Sequence, residues 1–124
     1  MKRKKIKKYR IKFSGKSVWN TAYCFNNPTT NILINADKIV SRAKQITVKL
    51  DYPFDNPPVF TYKRKSARWT LSDALKSVIK AYHRAYRNEA KYQVWGHYLS
   101  DLSIDSITIS SGSSGCTVIC EVSS

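Results

Sequence analysis

The chain has 124 residues, 42% of them hydrophobic, with four glycines and four prolines. This length and composition predict one folded domain and exclude a disordered chain or a multidomain assembly. The 22 basic residues against eight acidic ones give a formal charge of +14, and nine of the basic residues lie within residues 1–16, where no acid occurs. The apolar runs are too short for a transmembrane helix or a secretory signal, so we expect an intracellular protein without membrane insertion.

The first predicted element is a strand over residues 8–13, where apolar and basic residues alternate. This period of two places Tyr9, Ile11 and Phe13 on one face. We therefore divide the chain into a basic N-terminal arm, residues 1–8, and a single domain, residues 9–124. After a turn, residues 18–25 can return as the partner strand.

Two short elements are predicted in the middle of the chain. Apolar residues over 36–44 have helical spacing behind Asn35, a residue type that caps helices, which predicts a short helix. Over residues 45–52 the period changes to two, which predicts a half-buried strand that ends at Pro53.

A long amphipathic helix is predicted over about residues 71–90. Thr70 is a good N-cap, and Asp73, three residues later, completes a capping-box pattern at the positive helix N-terminus. One face is continuously apolar, and the opposite face is basic. The basic face consists of Lys76, Lys80, His83, Arg84 and Arg87.

The C-terminal part predicts a β-hairpin. Aliphatic residues over 99–109 are followed by a serine- and glycine-rich loop, and Cys116, Val118, Cys120 and Val122 then alternate in a closing strand. The fold class is therefore α+β, a single domain in which an antiparallel sheet packs against one long helix. The cysteines, with Cys24 as the third, show no disulfide or zinc-ligand spacing and are interpreted as reduced packing residues.

Residues 94–104 read Val-Trp-Gly-His-Tyr-Leu-Ser-Asp-Leu-Ser-Ile. Together with the helix start at residues 70–73, this segment resembles a motif of short, largely uncharacterised proteins of large double-stranded DNA viruses of amoebae and algae. The resemblance covers about residues 70–110, and its matching positions are Trp95, Gly96, His97, Leu99, Asp101, Leu102 and Ile104. It departs from the family pattern at Tyr98 and Asp105, where other residues are expected. The resemblance implies a viral setting more strongly than it implies a chemistry.

The segment around His97 has two interpretations. On a helix, His97, Asp101 and Asp105 would share a face and could hold a metal or transfer a proton. In the structural interpretation, which we favour, Trp95 anchors the core, Gly96 permits a tight turn, and His97 and Asp101 bond to nearby backbone groups. We therefore predict no enzyme, no cofactor and no metal site.

The sequence indicates nucleic-acid binding more strongly than it indicates catalysis or metal binding. Clustered lysines and arginines displace the counterions condensed on a polyphosphate, which gives affinity without sequence preference. The candidate residues are Lys2, Arg3, Lys4, Lys5, Lys7, Lys8, Lys63, Arg64, Lys65, Arg68, Lys76, Lys80, Arg84 and Arg87. Targeting, contact with acidic proteins, or plain solvation are the other interpretations of such clusters. Four aromatic residues near the clusters could stack on bases or lie in the core: Tyr9, Phe13, Tyr62 and Trp69, with Phe13 and Trp69 favoured for the core.

We expect a small, basic, non-enzymatic viral protein that binds nucleic acid electrostatically, with DNA favoured over RNA. The alternative is a virion structural protein, a minor capsid or internal cement protein, whose arm contacts acidic virion proteins. Both place it inside the infected host, in the nucleus or the viral factory, and allow it to be packaged in the particle. The oligomeric state stays open.

Overall fold

The computed structural model describes residues 5–14, 22–26, 32–112 and 115–124. The strands are β1 (Lys5–Arg10), β2 (Tyr23–Cys24), β3 (Ile39–Ser41), β4 (Gln45–Lys49), β5 (Val59–Lys63), β6 (Trp69–Thr70), β7 (Ser103–Gly112) and β8 (Gly115–Ser123). The helices are α1 (Leu71–Tyr86), α2 (Glu89–Tyr92) and a single 3-10 turn (Leu99–Asp101). The predicted α+β class, the long helix and the C-terminal hairpin are confirmed.

The main sheet has the strand order β1-β7-β8-β4-β5, and β2 also pairs with β7. Every pair in it is antiparallel except β4 with β8, where Thr47 pairs with Thr117 and Val48 with Val118 in parallel. The sheet is therefore mixed, not wholly antiparallel as predicted. The parallel pair is possible because α1 lies between β4 and β8 in sequence, which gives the chain the length it needs to cross over.

The core lies between one face of this sheet and α1. Alternation along the central strands turns Ile107, Ile109 and Val118 toward the helix, and all three are buried. From the helix, Leu75, Val78 and six other residues of one face are buried against them: Leu71, Ala74, Ser77, Ala81, Tyr82 and Ala85. The predicted core positions of Phe13 and Trp69 are confirmed. Cys116 is buried, and Cys24 and Cys120 are half-buried free thiols.

Helix α1 begins as predicted and ends earlier. The Thr70 side chain accepts from the Asp73 amide at 3.1 Å, and the Asp73 carboxylate accepts from the Thr70 amide at 2.9 Å, which completes the capping box. The helix stops at Tyr86 instead of residue 90 because Asn88 adopts φ −139° and ψ 58°, outside the helical region. Residues 89–92 form the separate short helix α2.

The helix predicted over residues 36–44 is wrong. Asn35 has a left-handed φ of 62°, and the following turn leads into strand β3. Ile39 pairs with Thr70, and the Lys38 carbonyl accepts from the Leu71 amide at 2.8 Å. Pairing with a segment distant in sequence therefore outweighs the local helical spacing of this apolar segment.

The N-terminal strand begins earlier than predicted and has a different partner. Residues 5–8, assigned to the basic arm, lie in β1, which pairs with β7 from Lys5 opposite Ser111 to Arg10 opposite Ser106. Residues 1–4 of the arm and residues 18–21 of the predicted partner strand lie outside the described residues. Tyr23 and Cys24 do form a strand, but they pair with β7.

Candidate nucleic-acid interface

Helix α1 runs alongside β5, the strand at one edge of the main sheet. Lys80 of the helix contacts Tyr62 of the strand, and Arg84 contacts Phe60. Asp73 pairs with Arg64, the residue that follows β5, so the two elements run in opposite chain directions. A depression between strand and helix is lined by Tyr62, Lys63, Arg64, Trp69, Asp73, Lys76, Ser77 and Lys80. We call this depression, with Arg84 at its end, the basic groove.

The helix wall of the basic groove follows directly from the sequence. Lys76, Lys80 and Arg84 are spaced four residues apart, so they lie in one line along α1. Each step along this line rises about 6 Å along the helix axis. All three side chains are exposed, whereas the apolar face of the same helix is buried. The helix therefore presents a row of three cations beside the edge of β5.

Two of these cations are held over aromatic rings of β5. The Arg84 guanidinium carbon lies 4.4 Å from the Phe60 ring centre, and the Lys80 ammonium lies 5.6 Å from the Tyr62 ring centre. Such contacts contribute about 0.5–1 kcal/mol at exposed sites. Phe60 is only 5% exposed. The Phe60 ring therefore positions a cation and offers little free surface on which a base could stack.

Tyr62 adds no negative charge to the basic groove. Burial raises the pKa of its hydroxyl, and the nearby Arg84 cation offsets part of that rise. The phenol is therefore neutral at physiological pH.

Arg64 is tied to the helix N-terminus instead of pointing freely into the groove. Its guanidinium donates two hydrogen bonds to the Asp73 carboxylate, at 2.6 and 3.0 Å, and it lies 4.9 Å from the Trp69 ring centre. Burial acts to raise the pKa of Asp73, but the hydrogen bonds from Thr70 and Arg64 outweigh it and hold the pKa below its ordinary value. Asp73 is thus ionised and neutralises the charge of Arg64.

The remaining residues of the 63–68 cluster lie beside the groove. Lys65 lines an adjoining depression with Lys44 and Lys63. The Arg68 carbonyl accepts a hydrogen bond from Arg64 at 3.2 Å. Arg87 is exposed at the C-cap of α1, beyond the residues that line the groove.

The basic residues of β1 lie elsewhere. Strands β7, β8 and β4 separate β1 from β5. Four strand spacings correspond to about 19 Å, so Lys5, Lys7 and Lys8 are not continuous with the groove along the sheet. Lys8 also forms an ion pair with Glu121 on β8. The predicted residues Lys2, Arg3 and Lys4 lie outside the described residues.

The Asp101 side chain bonds to a backbone group as predicted, whereas the His97 ring bonds to another side chain instead of the backbone. The His97 ring contacts the Tyr52 hydroxyl, and the His97 carbonyl accepts from the Tyr86 hydroxyl at 3.2 Å. The Asp101 carboxylate accepts from the Tyr98 amide at 2.9 Å. Gly96 has a φ of 68°, which a glycine adopts without strain.

Two further details of the sequence interpretation change at this segment. Trp95 does not anchor the core, because it is 46% exposed and packs edge-on against Tyr52. Asp105 lies in strand β7, apart from the 3-10 turn that contains Asp101. Within the part of the chain that the structure describes, no group of three histidine, cysteine, aspartate or glutamate residues is placed to hold a metal ion.

Sequence reasoning missed Phe60 and Lys44. The alternation of Val59 to Lys63 does place Phe60 and Tyr62 on one face of a strand, but it does not reveal which helix residues lie over them. That pairing depends on contacts between segments distant in sequence. The amino-acid sequence reveals the lysine clusters, and the structure shows which of them share a surface.

Comparison of the chain with protein-family models, with curated proteins and with solved structures finds no match. Among the described residues, no helix is long and apolar enough to cross a membrane.

Proposed function

We propose that the protein binds nucleic acid electrostatically through the basic groove, without a catalytic role. The observation that supports this most is the row of Lys76, Lys80 and Arg84 beside β5, with Lys63 on the strand side. Asp73 is the one acidic residue among the described residues that line the groove, and Arg64 neutralises it. A long anion therefore meets four cations without an opposing free carboxylate.

Such a row suits a phosphate backbone. A protein that neutralises phosphates with lysine and arginine releases condensed counterions, so its affinity falls steeply with salt concentration. Four phosphate contacts correspond to a slope of about −3.6 in a plot of log affinity against log salt for duplex DNA. Duplex DNA is the expected partner, because its two strands place phosphates densely along one axis.

The arrangement of the rings supports binding without base recognition. Arg84 lies over Phe60 and Lys80 lies over Tyr62, so the aromatic residues contribute by fixing the cations. Contacts to phosphates fix position and carry no sequence information directly. We therefore expect similar affinities for duplexes of different sequence.

The viral setting stays a prediction that follows from the resemblance of residues 70–110. The virion structural role also stays a prediction. In that role the same cations would contact acidic protein surfaces inside the particle.

The test compares two variants of equal charge. The groove variant carries Lys76→Gln, Lys80→Gln and Arg84→Gln. The control variant carries Lys5→Gln, Lys7→Gln and Arg10→Gln in β1, at the opposite edge of the sheet. Fluorescence anisotropy with a labelled random duplex measures both affinities at low salt, and circular dichroism checks that both variants fold.

We expect the groove variant to lose at least tenfold more affinity than the control variant. Equal losses of affinity would show that binding depends only on net charge. A larger loss in the control variant would indicate that the binding site lies at β1. No binding by the wild-type protein at low salt would overturn the proposal.

A further inference from the structure

Strand β5 has a second edge, opposite to β4. In its antiparallel pairing with β4, Leu50 donates to Pro58 at 3.1 Å and Arg64 donates to Lys44 at 2.8 Å. Hydrogen-bonded positions alternate along such a ladder, so Phe60 and Tyr62 also bond to β4. The amide and carbonyl groups of Val59, Thr61 and Lys63 therefore point away from β4.

The residues that carry these outward groups are exposed. Val59, Thr61 and Lys63 are all exposed, and Val59 is 55% exposed. Within residues 5–14, 22–26, 32–112 and 115–124, no strand pairs with this edge and no backbone hydrogen bond reaches it. An unpaired strand edge is a template for the backbone of another extended segment.

Helix α1 determines the charge that such a segment needs. Phe60 and Tyr62 face the helix side, where Arg84 and Lys80 lie over their rings. In a strand added beside β5, every second side chain would face this same side, next to Lys76, Lys80 and Arg84. Acidic side chains at those alternate positions would meet one cation after another.

We propose that β5 accepts an extended segment of an acidic partner protein as an additional β-strand. The backbone of that segment pairs with Val59, Thr61 and Lys63, and its acidic side chains contact the α1 cations. This is binding by strand addition, in which main-chain hydrogen bonds give affinity and alternate side chains give specificity.

The charge of the groove argues against a second copy of this chain as the occupant. Pairing β5 with β5 of another molecule would bring Lys63 and the α1 cations of both copies together, with Asp73 already bonded to Arg64. Like charges in close apposition destabilise such a pair.

Nucleic acid also satisfies this edge poorly. Phosphate oxygens can only accept hydrogen bonds, whereas half of the outward groups of β5 are carbonyls that need a donor. The inference therefore rests on the backbone of β5 and stands independently of the proposed function. If both are correct, an acidic segment and nucleic acid compete for the α1 cations.

The first test uses short synthetic peptides that alternate valine with glutamate. Two further versions carry N-methyl groups, one on every valine and the other on every glutamate. In an added strand the amides that face β5 belong to one of these two residue types only. Fluorescence anisotropy of the labelled peptides against the full chain measures the three affinities.

We expect one methylated version to lose at least tenfold in affinity and the other to bind like the parent peptide. Antiparallel pairing predicts that methylated valine is the version that fails, because the residues that bond to Thr61 would face away from α1. Equal binding by both methylated versions, or no binding by the parent, would overturn strand addition.

A second test changes the protein. Thr61→Pro removes an amide that points outward and leaves the bonds to β4 in place, whereas the control Thr61→Val keeps that amide. We expect the proline variant to lose at least tenfold in peptide affinity and the valine variant to be unchanged. If the proline variant fails to fold, the methylated peptides still decide the question.

A peptide that alternates valine with lysine tests the charge of the partner. We expect no binding, and binding equal to that of the glutamate peptide would overturn the acidic assignment. Duplex DNA binding is measured separately, so a failure of strand addition is distinguishable from a failure of the proposed function.

Discussion

The guanidinium of Arg84 lies 4.4 Å above the ring of Phe60. This contact fixes the last cation of the helix row against the edge strand of the sheet. Lys80 and Tyr62 repeat the arrangement one helical turn earlier. The basic face of α1 is thus not merely solvated, because two of its cations are directed along β5 by rings that the sheet supplies.

Deleting residues 1–8 is expected to destabilise the domain. The deletion removes four of the six residues of β1, from Lys5 to Lys8, and with them the ladder to β7 between Ser111 and Thr108. Urea unfolding of the deletion should show a lower midpoint than that of a Lys5→Gln, Lys7→Gln variant, which keeps the backbone. Equal midpoints would contradict the assignment of residues 5–8 to the sheet.

Asp73→Asn is expected to lower stability at neutral pH by about 1 kcal/mol, because it removes a negative charge from the first turn of the helix and one partner of an ion pair. The change weakens the bond to the Thr70 amide and removes the charge that pairs with Arg64. Chemical denaturation measures the loss, with Ser72→Ala as a neighbouring control. An unchanged free energy of unfolding would contradict the capping box.

The same carboxyl predicts a pH dependence. The pKa of Asp73 is lowered in the folded state, so the unfolded state binds a proton more readily. Its contribution to stability is complete above the unfolded carboxyl pKa of about 3.9 and is lost as the pH falls from there through the folded pKa. The stability difference between wild type and Asp73→Asn should shrink over this acidic window, and a constant difference would argue against the linkage.

Cys120 is expected to be unreactive in the folded protein. Burial raises the pKa of its thiol to about 12, so almost none of it is the reactive thiolate near pH 8. Iodoacetamide labelling followed by mass spectrometry should show Cys120 protected in buffer and modified in urea. Modification of the native protein at the rate of an exposed thiol would contradict its burial against Tyr82.

Substitution of Trp69 should lower the stability of the protein much more than substitution of Trp95. Trp69 is 4% exposed and donates to the Ala43 carbonyl at 2.8 Å, so Trp69→Phe should cost about 1–3 kcal/mol through the unpaired carbonyl alone. Trp95 is 46% exposed, and Trp95→Phe should stay within about 0.5 kcal/mol. Denaturant unfolding measures the loss of stability in both variants, and a larger loss in Trp95→Phe would indicate that Trp95 is the core residue.

The sequence allowed the strongly periodic elements to be predicted. Helix α1 has a capping box and an uninterrupted apolar face, and strands β4 and β8 alternate clearly. Local patterns of this kind carry their own structural information. The local pattern of residues 36–44 does not predict their structure, because Ile39 becomes a strand residue only through its pairing with Thr70.

The candidate site could be predicted in part. Lys80 and Arg84 were visible as members of a basic helix face, but their positions over Tyr62 and Phe60 depend on tertiary packing. The lysines of β1 looked equivalent to those of residues 63–65 in sequence. The strand order separates them, and no local pattern determines strand order.

The central claim, that the row of α1 cations binds phosphates, is tested most directly by the salt dependence of duplex DNA binding. Anisotropy titrations across a salt series give the slope of log affinity against log salt for the wild type and for the Lys76→Gln, Lys80→Gln, Arg84→Gln variant. Losing three phosphate contacts should make the slope shallower by about 2.7. An unchanged slope would show that these three residues do not contact the phosphates.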